Sequence, residues 1–117
     1  QSSDRKSGVM DTDLYDMATL VGIDFTMDKR QRIMTRESAA THAMTLAGVD
    51  VIDGKPVRWK VENSWGDENG QKGYFVMTDP WFDEYTFEVV VNKKYLSEDI
   101  ARLYETEPEV LPYYLPF

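Results

Sequence analysis

The dipeptide Asp53-Gly54 constrains this chain more than any other feature, because it separates two segments in which polar and apolar residues alternate. Both residues tolerate positive φ, which the tight two-residue turn of a β-hairpin requires. If they are the turn residues, Ile52 pairs with Lys55 and the ladder fixes which side chains meet on each face. The pattern therefore predicts two antiparallel strands, over residues 41–51 and 56–65.

The second predicted strand places an amide on its apolar face. Alternate residues of a strand share one face, and the residues between them share the other. Charged residues dominate one face, which must be solvated, so the other face is predicted to be buried. An amide buried without hydrogen-bond partners costs about 1–3 kcal/mol, so Asn63 needs a partner. The predicted buried face consists of Val57, Trp59, Val61, Asn63 and Trp65.

The single histidine of the chain, His42, is the candidate partner of this amide. The register set by the turn places Met44 opposite Asn63, and His42 opposite Trp65 on the same face. His42 is then diagonal to Asn63, at a distance of about 7–8 Å between backbones that the two side chains can span. A register shifted by two residues places them directly opposite, so both registers bring the imidazole to the amide.

Such a pair has a defined chemical use. The amide oxygen accepts a hydrogen bond from one ring nitrogen and fixes the tautomer, which leaves the other nitrogen free to exchange a proton with a nucleophile. A lone histidine among apolar residues is more often structural than catalytic, and the same holds for a lone buried asparagine. The pair beneath a tryptophan leaves the structural and the catalytic interpretations equally open.

The chain offers no nucleophile for this pair. It contains no cysteine, which excludes a thiol, a disulfide and a cysteine zinc site within it. Strand alternation directs Ser64 away from Asn63, and neither Ser38 nor Thr41 lies in a strained turn with oxyanion donors. Neither metal-ligand spacing nor a phosphate-binding glycine loop is present, so no metal and no cofactor are predicted.

Length and charge limit the partners. The 117 residues fit one small domain, and the net charge of −8 repels phosphate backbones, so nucleic acid is a poor partner. No apolar run approaches the length of a membrane span. Because the first residue is Gln1 rather than Met, we expect a chain that was processed, truncated or excised from a longer polypeptide.

The rest of the chain is predicted to add short elements to the hairpin, after a loop over residues 1–12. We expect an α+β fold that forms one partial domain. The predicted helices are residues 13–22, capped by Asp13 and ended by Gly22, residues 28–35 and residues 97–104. Two further strands are predicted over residues 73–78 and 85–91. The predicted parts are a helical lead-in (1–36), an antiparallel, barrel-like sheet carrying His42 and Asn63 (37–95), and a helix with a C-terminal arm (96–117).

Three short motifs resemble the papain-like cysteine peptidases. They are Thr-His-Ala-Met at 41–44, Val-Glu-Asn-Ser-Trp-Gly at 61–66 and Gly-Tyr-Phe at 73–75. In that family a His and an Asn complete a Cys-His-Asn triad, and the following Trp shields their hydrogen bond. The resemblance implies that His42 and Asn63 are catalytic, that Trp65 supports them, and that the fold is the C-terminal, sheet-containing half of a papain-like domain.

Longer segments resemble the bleomycin hydrolase and bacterial aminopeptidase C subfamily, namely residues 3–16, 36–44 and 79–91. The resemblance covers roughly the last quarter of that subfamily's length and implies that the catalytic Cys and the oxyanion-hole Gln lie upstream. It further implies a cytoplasmic enzyme that removes N-terminal residues from peptides and assembles as a homo-hexamer. The subfamily's C-terminal arm lies in the active-site cleft, whereas the tail here, Leu111–Phe117, differs from that arm.

Two functions follow as alternatives. In the first, the chain is the C-terminal part of a cysteine aminopeptidase, inactive until it combines with the upstream part that supplies the cysteine. In the second, it is a non-catalytic binding or assembly module that keeps the peptidase scaffold. The missing cysteine motivates the second alternative, and the aromatic tail is then a docking peptide.

Overall fold

The computed structural model describes residues 3–23 and 27–113 of the chain. Within these ranges the strands are β1 (Ser3–Asp4), β2 (Val9–Met10), β3 (Thr45–Ile52), β4 (Lys55–Glu62) and β5 (Tyr74–Thr78). The α-helices there are α1 (Met17–Val21), α2 (Lys29–Met34), α3 (Asp79–Tyr85) and α4 (Glu98–Leu103), and Lys93–Tyr95 forms a single 3₁₀ turn.

The strands form one mixed sheet in the order β1-β2-β5-β4-β3. The predicted α+β class is confirmed, but the antiparallel, barrel-like arrangement is wrong in two respects. The sheet is open, and β2 runs parallel to β5, with Val9 paired to Val76 and Met10 to Met77. The parallel pair arises because the lead-in, predicted as loop and helix, itself contributes β1 and β2 to the edge of the sheet.

The hairpin at the centre of the prediction is present. Asp53 and Gly54 have φ of 51° and 77°, as the two-residue turn requires, and Ile52 pairs with Lys55. The β3–β4 ladder contains two register irregularities, one near each end of β3. They compensate, because at the far end Thr45 pairs with Glu62, which is the register that the turn alone predicts.

The core lies on one face of the sheet, where β2, β4 and β5 meet α3. The side chains that are at most 3% exposed among the described hydrophobic residues are Met10, Val61, Phe75 and Met77. Trp59 extends this core, since its ring stacks on Phe82 of α3 at 4.7 Å and its indole N–H donates to Asp79 Oδ1 at 2.8 Å. These contacts anchor α3 on β4.

The strand predicted over residues 85–91 is wrong. Tyr85 is the last residue of α3, which follows the extended N-cap Thr78 and has Pro80 in its first turn. Residues 86–91 belong to no strand. The side chains of the β-branched run among them, Val89–Val91, are 47–93% exposed. Its composition alone favoured a strand, whereas packing of Phe82 on the core favoured the helix before it.

Helices α2 and α4 are close to their predicted limits, whereas α1 begins at Met17 rather than at residue 13. Asp16, rather than Asp13, caps α1, and Gly22 ends it in the left-handed conformation. Asp28 and Gln31 form a reciprocal capping box at the start of α2. Ser97 precedes α4 as predicted but makes no side-chain cap bond. None of the helices in the described residues has both the length and the apolar character needed to cross a membrane.

Three prolines and several large apolar residues over positions 108–117 predict an extended tail that is docked on the domain. Val110 is 92% exposed and Tyr113 is 98% exposed, so little of these two side chains is covered. Residues 114–117, including the terminal Phe117, lie outside the described residues. The use of Leu111–Phe117 as an active-site arm therefore stays a prediction.

Candidate active site

His42 lies in an irregular segment, residues 37–44, immediately before β3. The strand was predicted to begin at residue 41 but begins at Thr45, so the imidazole is carried by a loop and its side chain is exposed. Its Nε2 is nevertheless 2.9 Å from Oδ1 of Asn63. The structure thus brings together the two residues that the hairpin register predicted to meet.

Asn63 follows the last residue of β4 and is 8% exposed. Its backbone N–H donates to the carbonyl of Gly73 at 3.0 Å, which extends the β4–β5 ladder and fixes the residue. Its Oδ1 accepts a second hydrogen bond, at 2.8 Å, from the backbone N–H of Ser64. The sequence correctly predicted that this amide is buried and that it meets His42; its oxygen is hydrogen-bonded, whereas its Nδ2 makes no hydrogen bond to the described residues.

The contact between His42 and Oδ1 of Asn63 determines the tautomer of the imidazole. An amide oxygen can only accept, so Nε2 of His42 carries the proton and donates it to Asn63. The other ring nitrogen, Nδ1, makes no hydrogen bond to any described residue. A neutral imidazole held in this way has an unprotonated nitrogen available to accept a proton from a nucleophile.

Trp65 lies against this pair. Its ring stacks on His42 with centroids 5.0 Å apart and planes 21° apart, and it meets the buried Phe75 edge-on at 5.9 Å. Trp65 was predicted to be buried but is 38% exposed, because β4 ends at Glu62 and Trp65 lies beyond the strand. The indole therefore covers the imidazole while remaining partly in solvent.

The sequence reasoning missed Arg5, which the structure places at this site. Its Cζ lies 4.1 Å from the centroid of the Trp65 ring. Arg5 belongs to the turn between β1 and β2, sixty residues away from Trp65 in the sequence. A local sequence pattern carries no signal for such a contact, since it depends on the unpredicted β2–β5 pairing.

We find neither a nucleophile beside the imidazole nor a cluster of metal ligands among the described residues. The rejected candidate Ser64 has an exposed side chain. No group of three or more His, Cys, Asp or Glu residues in the described part of the chain is placed to hold a metal ion. The chemistry that this site offers is therefore proton transfer by an oriented imidazole.

An α+β fold on an open sheet, carrying a histidine fixed by an asparagine amide beneath an indole, defines the class of papain-like cysteine peptidases. Comparisons with known proteins agree with this class. The sequence profile of the Peptidase C1-like family matches residues 1–117, and the chain belongs to that family.

Curated relatives of this chain include bacterial proteins named aminopeptidase C and aminopeptidase G. The chain is 51% identical over 112 residues to aminopeptidase C of Streptococcus thermophilus, covering 95% of this chain and 25% of the relative. It is 50% identical over 111 residues to aminopeptidase G of Lactobacillus delbrueckii subsp. lactis, covering 94% of this chain and 25% of the relative. The chain thus spans about a quarter of the length of these relatives.

A solved structure shares the fold. The crystal structure of PepW from Lactobacillus rhamnosis HN001 superposes with a TM-score of 0.88 at 50% sequence identity. The match covers 99% of this chain and 27% of the PepW chain. The open sheet and short helices described above therefore correspond to about a quarter of the PepW chain.

Proposed function

We propose that this chain supplies the proton-transfer half of a cysteine aminopeptidase, with His42 and Asn63 as catalytic residues and Trp65 in support. The observation that carries the proposal is the 2.9 Å contact between Nε2 of His42 and Oδ1 of Asn63. The nucleophilic cysteine, which the 117 residues lack, belongs to the upstream part of a longer polypeptide.

In this mechanism His42 first serves as a base. Nδ1 accepts the proton of the cysteine thiol, which gives a thiolate beside an imidazolium. The thiolate attacks the carbonyl carbon of the N-terminal peptide bond, and Nδ1 then donates its proton to the leaving amine as the acyl-enzyme forms. Water hydrolyses the acyl-enzyme with His42 acting again as the base.

Asn63 and Trp65 prepare the imidazole for this cycle. The amide oxygen keeps the proton on Nε2, so Nδ1 is always the nitrogen that faces the reaction. Because the oxygen is an acceptor, it also stabilises the imidazolium that forms when Nδ1 is protonated. The indole of Trp65, stacked at 5.0 Å, restricts rotation of the ring and reduces access of water to the His42–Asn63 bond.

Finer features of the proposal derive from the relatives. The similar proteins are named aminopeptidase C and aminopeptidase G, which supports N-terminal peptide bonds as substrates. We extend this to a bleomycin hydrolase-like enzyme that is cytoplasmic and hexameric, with no metal or organic cofactor. Because the cysteine lies elsewhere, this chain alone is expected to be inactive.

The proposal is tested in the full-length polypeptide that carries this segment, with an aminoacyl-coumarin as substrate. Replacing His42 by Ala removes the base and is expected to lower kcat/KM by about 10²- to 10⁴-fold. Replacing Asn63 by Ala leaves the base but frees its tautomer, so a smaller loss, mainly in kcat, is expected. Glu62→Gln is the matched control, because Glu62 adjoins Asn63 with an exposed side chain.

The alternative, a non-catalytic assembly module, makes the opposite prediction. If the full-length polypeptide with His42→Ala retains the activity of the Glu62→Gln control, His42 is not the base and the peptidase role of this segment is wrong. Activity of the pure 117-residue chain that resists a thiol-selective inhibitor also contradicts the cysteine mechanism.

A further inference from the structure

Several local hydrogen bonds hold the exposed turn between β1 and β2. The Asp4 carboxylate accepts from the backbone N–H groups of Lys6 and Ser7, at 3.1 and 3.3 Å, and from the Ser7 hydroxyl at 2.6 Å. The Asp4 carbonyl accepts from the N–H of Gly8 at 3.0 Å. The sequence Ser-Asp-Arg-Lys-Ser-Gly therefore fixes the shape of this turn locally. The turn itself has no role in the mechanism proposed above.

The turn is also fastened to the loop that follows Trp65. The N–H of Gly70 donates to the carbonyl of Arg5 at 2.9 Å, and the N–H of Val76 donates to the carbonyl of Gly8 at 2.7 Å. A Cβ at Gly8 would lie 2.7 Å from Cα of Gly70, so only glycine permits this approach of the two backbones. Both ends of the turn are thus held against the loop and β5.

This docking places the Arg5 side chain on the indole. Its Cζ is 4.1 Å from the Trp65 ring centroid, well inside the range of about 6 Å over which a cation and a ring attract each other. The same indole stacks on His42 at 5.0 Å. The contacts form a series from the fixed turn to Trp65, then to His42, and from His42 to Asn63.

The series matters because the imidazole lacks support from secondary structure. His42 lies in the irregular segment 37–44, and the described contacts of its ring are the bond to Asn63 and the stack on Trp65. A single hydrogen bond leaves the ring free to swing about that bond. The indole restricts this motion only if it is itself held, and at 38% exposure it is not held by burial alone.

We propose that Arg5 is a positioning residue, whose guanidinium holds the Trp65 indole against His42 and so fixes the direction of Nδ1. The proposal rests on the proposed function of His42 as the base. It assigns no contact between Arg5 and substrate. Loss of Arg5 is therefore expected to reduce kcat and to leave KM nearly unchanged.

The first test measures the stack itself, without catalysis. Stacking on an indole shifts the ring-proton NMR resonances of the single histidine away from free-imidazole values. In the 117-residue chain, Arg5→Ala is expected to move these resonances toward the free values, and Arg5→Lys to move them less because the charge remains. Lys6→Ala is the matched control, since Lys6 is the neighbouring exposed cation of the same turn.

The second test measures the consequence in the full-length polypeptide. Arg5→Ala is expected to lower kcat by about two- to fivefold, the effect of one exposed cation–π contact, with KM unchanged within a factor of about two. Arg5→Lys is expected to recover part of the loss, and Lys6→Ala to match the wild type. A structural defect alone gives no such recovery by a conservative variant.

The outcomes separate this proposal from the proposed function. If His42→Ala abolishes activity but Arg5→Ala leaves both kcat and the histidine resonances unchanged, the positioning role of Arg5 is wrong and the role of His42 stands. If His42→Ala has no effect, the proposed function itself fails. If Arg5→Ala does not fold by its amide spectrum, Arg5→Lys and Arg5→Met decide the question with the same two measurements.

Discussion

The Asp4 carboxylate controls the turn that carries Arg5, and its ionisation gives that turn a pH dependence. The Ser7 hydroxyl and then the backbone N–H of Lys6 stabilise the charged carboxylate, which holds the pKa of Asp4 below its ordinary value of 3.8. A carboxyl group whose pKa is lowered on folding stabilises the fold above its unfolded pKa. This contribution is lost as the pH falls through the lowered value.

We therefore expect the turn to be fully formed at neutral pH and to loosen only when the pH falls below 3.8. The amide proton resonances of Lys6 and Ser7, followed by NMR during acid titration, report the change directly. Asp4→Asn is expected to abolish this response, because the amide does not titrate. A midpoint at or above 3.8 for these two resonances contradicts the proposed bonding of the turn.

Prediction of single residues succeeded where local chemistry was sufficient. Alternation along one strand correctly placed Asn63 inside, because the charged side chains between its neighbours must face water. The exposure of Trp65 was not predictable in this way, since it depends on β4 ending at Glu62. The contact of Arg5 with Trp65 could not be predicted from the sequence either. It joins residues far apart in the chain, and it forms because the β1–β2 turn packs against the loop after Trp65.

The Asp53-Gly54 turn determines the register of β3 on β4, and hence which residues flank the site. Gly54 has a φ of 77° and open space around it, so a side chain there meets a conformational cost but no steric clash. Gly54→Val is expected to lower the free energy of unfolding by about 1–2 kcal/mol, the cost of the left-handed conformation for a residue with a Cβ. Urea denaturation measures this change.

Gly48→Ala is the control for this prediction. Gly48 lies within β3 without a positive φ, and an added Cβ meets only Cβ of Lys60 at an ordinary 3.8 Å. We expect this variant to match or exceed the wild-type stability, by up to about 1 kcal/mol, because alanine restricts the unfolded chain more than glycine does. Equal losses from both substitutions show that the turn conformation is not the cause.

The helices and strands that could be predicted are those whose turn or capping residues lie within or next to the element itself. The hairpin and the capped helix α2 carry their signals locally, in Asp53-Gly54 and in the Asp28–Gln31 capping box. The two-residue strands β1 and β2 are too short to show an alternation of polar and apolar residues. β2 is a strand because it pairs with β5. The run Val89–Val91 has strand composition, but composition cannot supply a partner strand.

The molecule as a whole buries few hydrophobic side chains for its length. Four are at most 3% exposed among the described hydrophobic residues, whereas β3, at the edge of the sheet, exposes Leu46, Val49, Val51 and Ile52 by 40–55%. A long apolar edge strand with unpaired backbone groups attracts further strands. We expect the isolated chain to self-associate in solution.

Sedimentation velocity at increasing protein concentration tests this expectation. Val51→Lys is expected to reduce the larger species, because a lysine on an edge strand opposes strand addition. Pro108→Lys adds the same charge at an exposed position outside the sheet and is expected to have little effect. A wild-type chain that remains monomeric throughout, or equal association in both variants, contradicts the role of the β3 edge.

The pairing of His42 with a cysteine from elsewhere in the longer polypeptide is the claim on which the enzymatic account depends. Its most direct test is the rate at which iodoacetamide alkylates that cysteine at about pH 6, well below the ordinary thiol pKa of about 8.5. The account predicts rapid alkylation in the wild type, because the imidazole stabilises the thiolate, and a large decrease in the His42→Ala variant. Equal rates in the two proteins would contradict it.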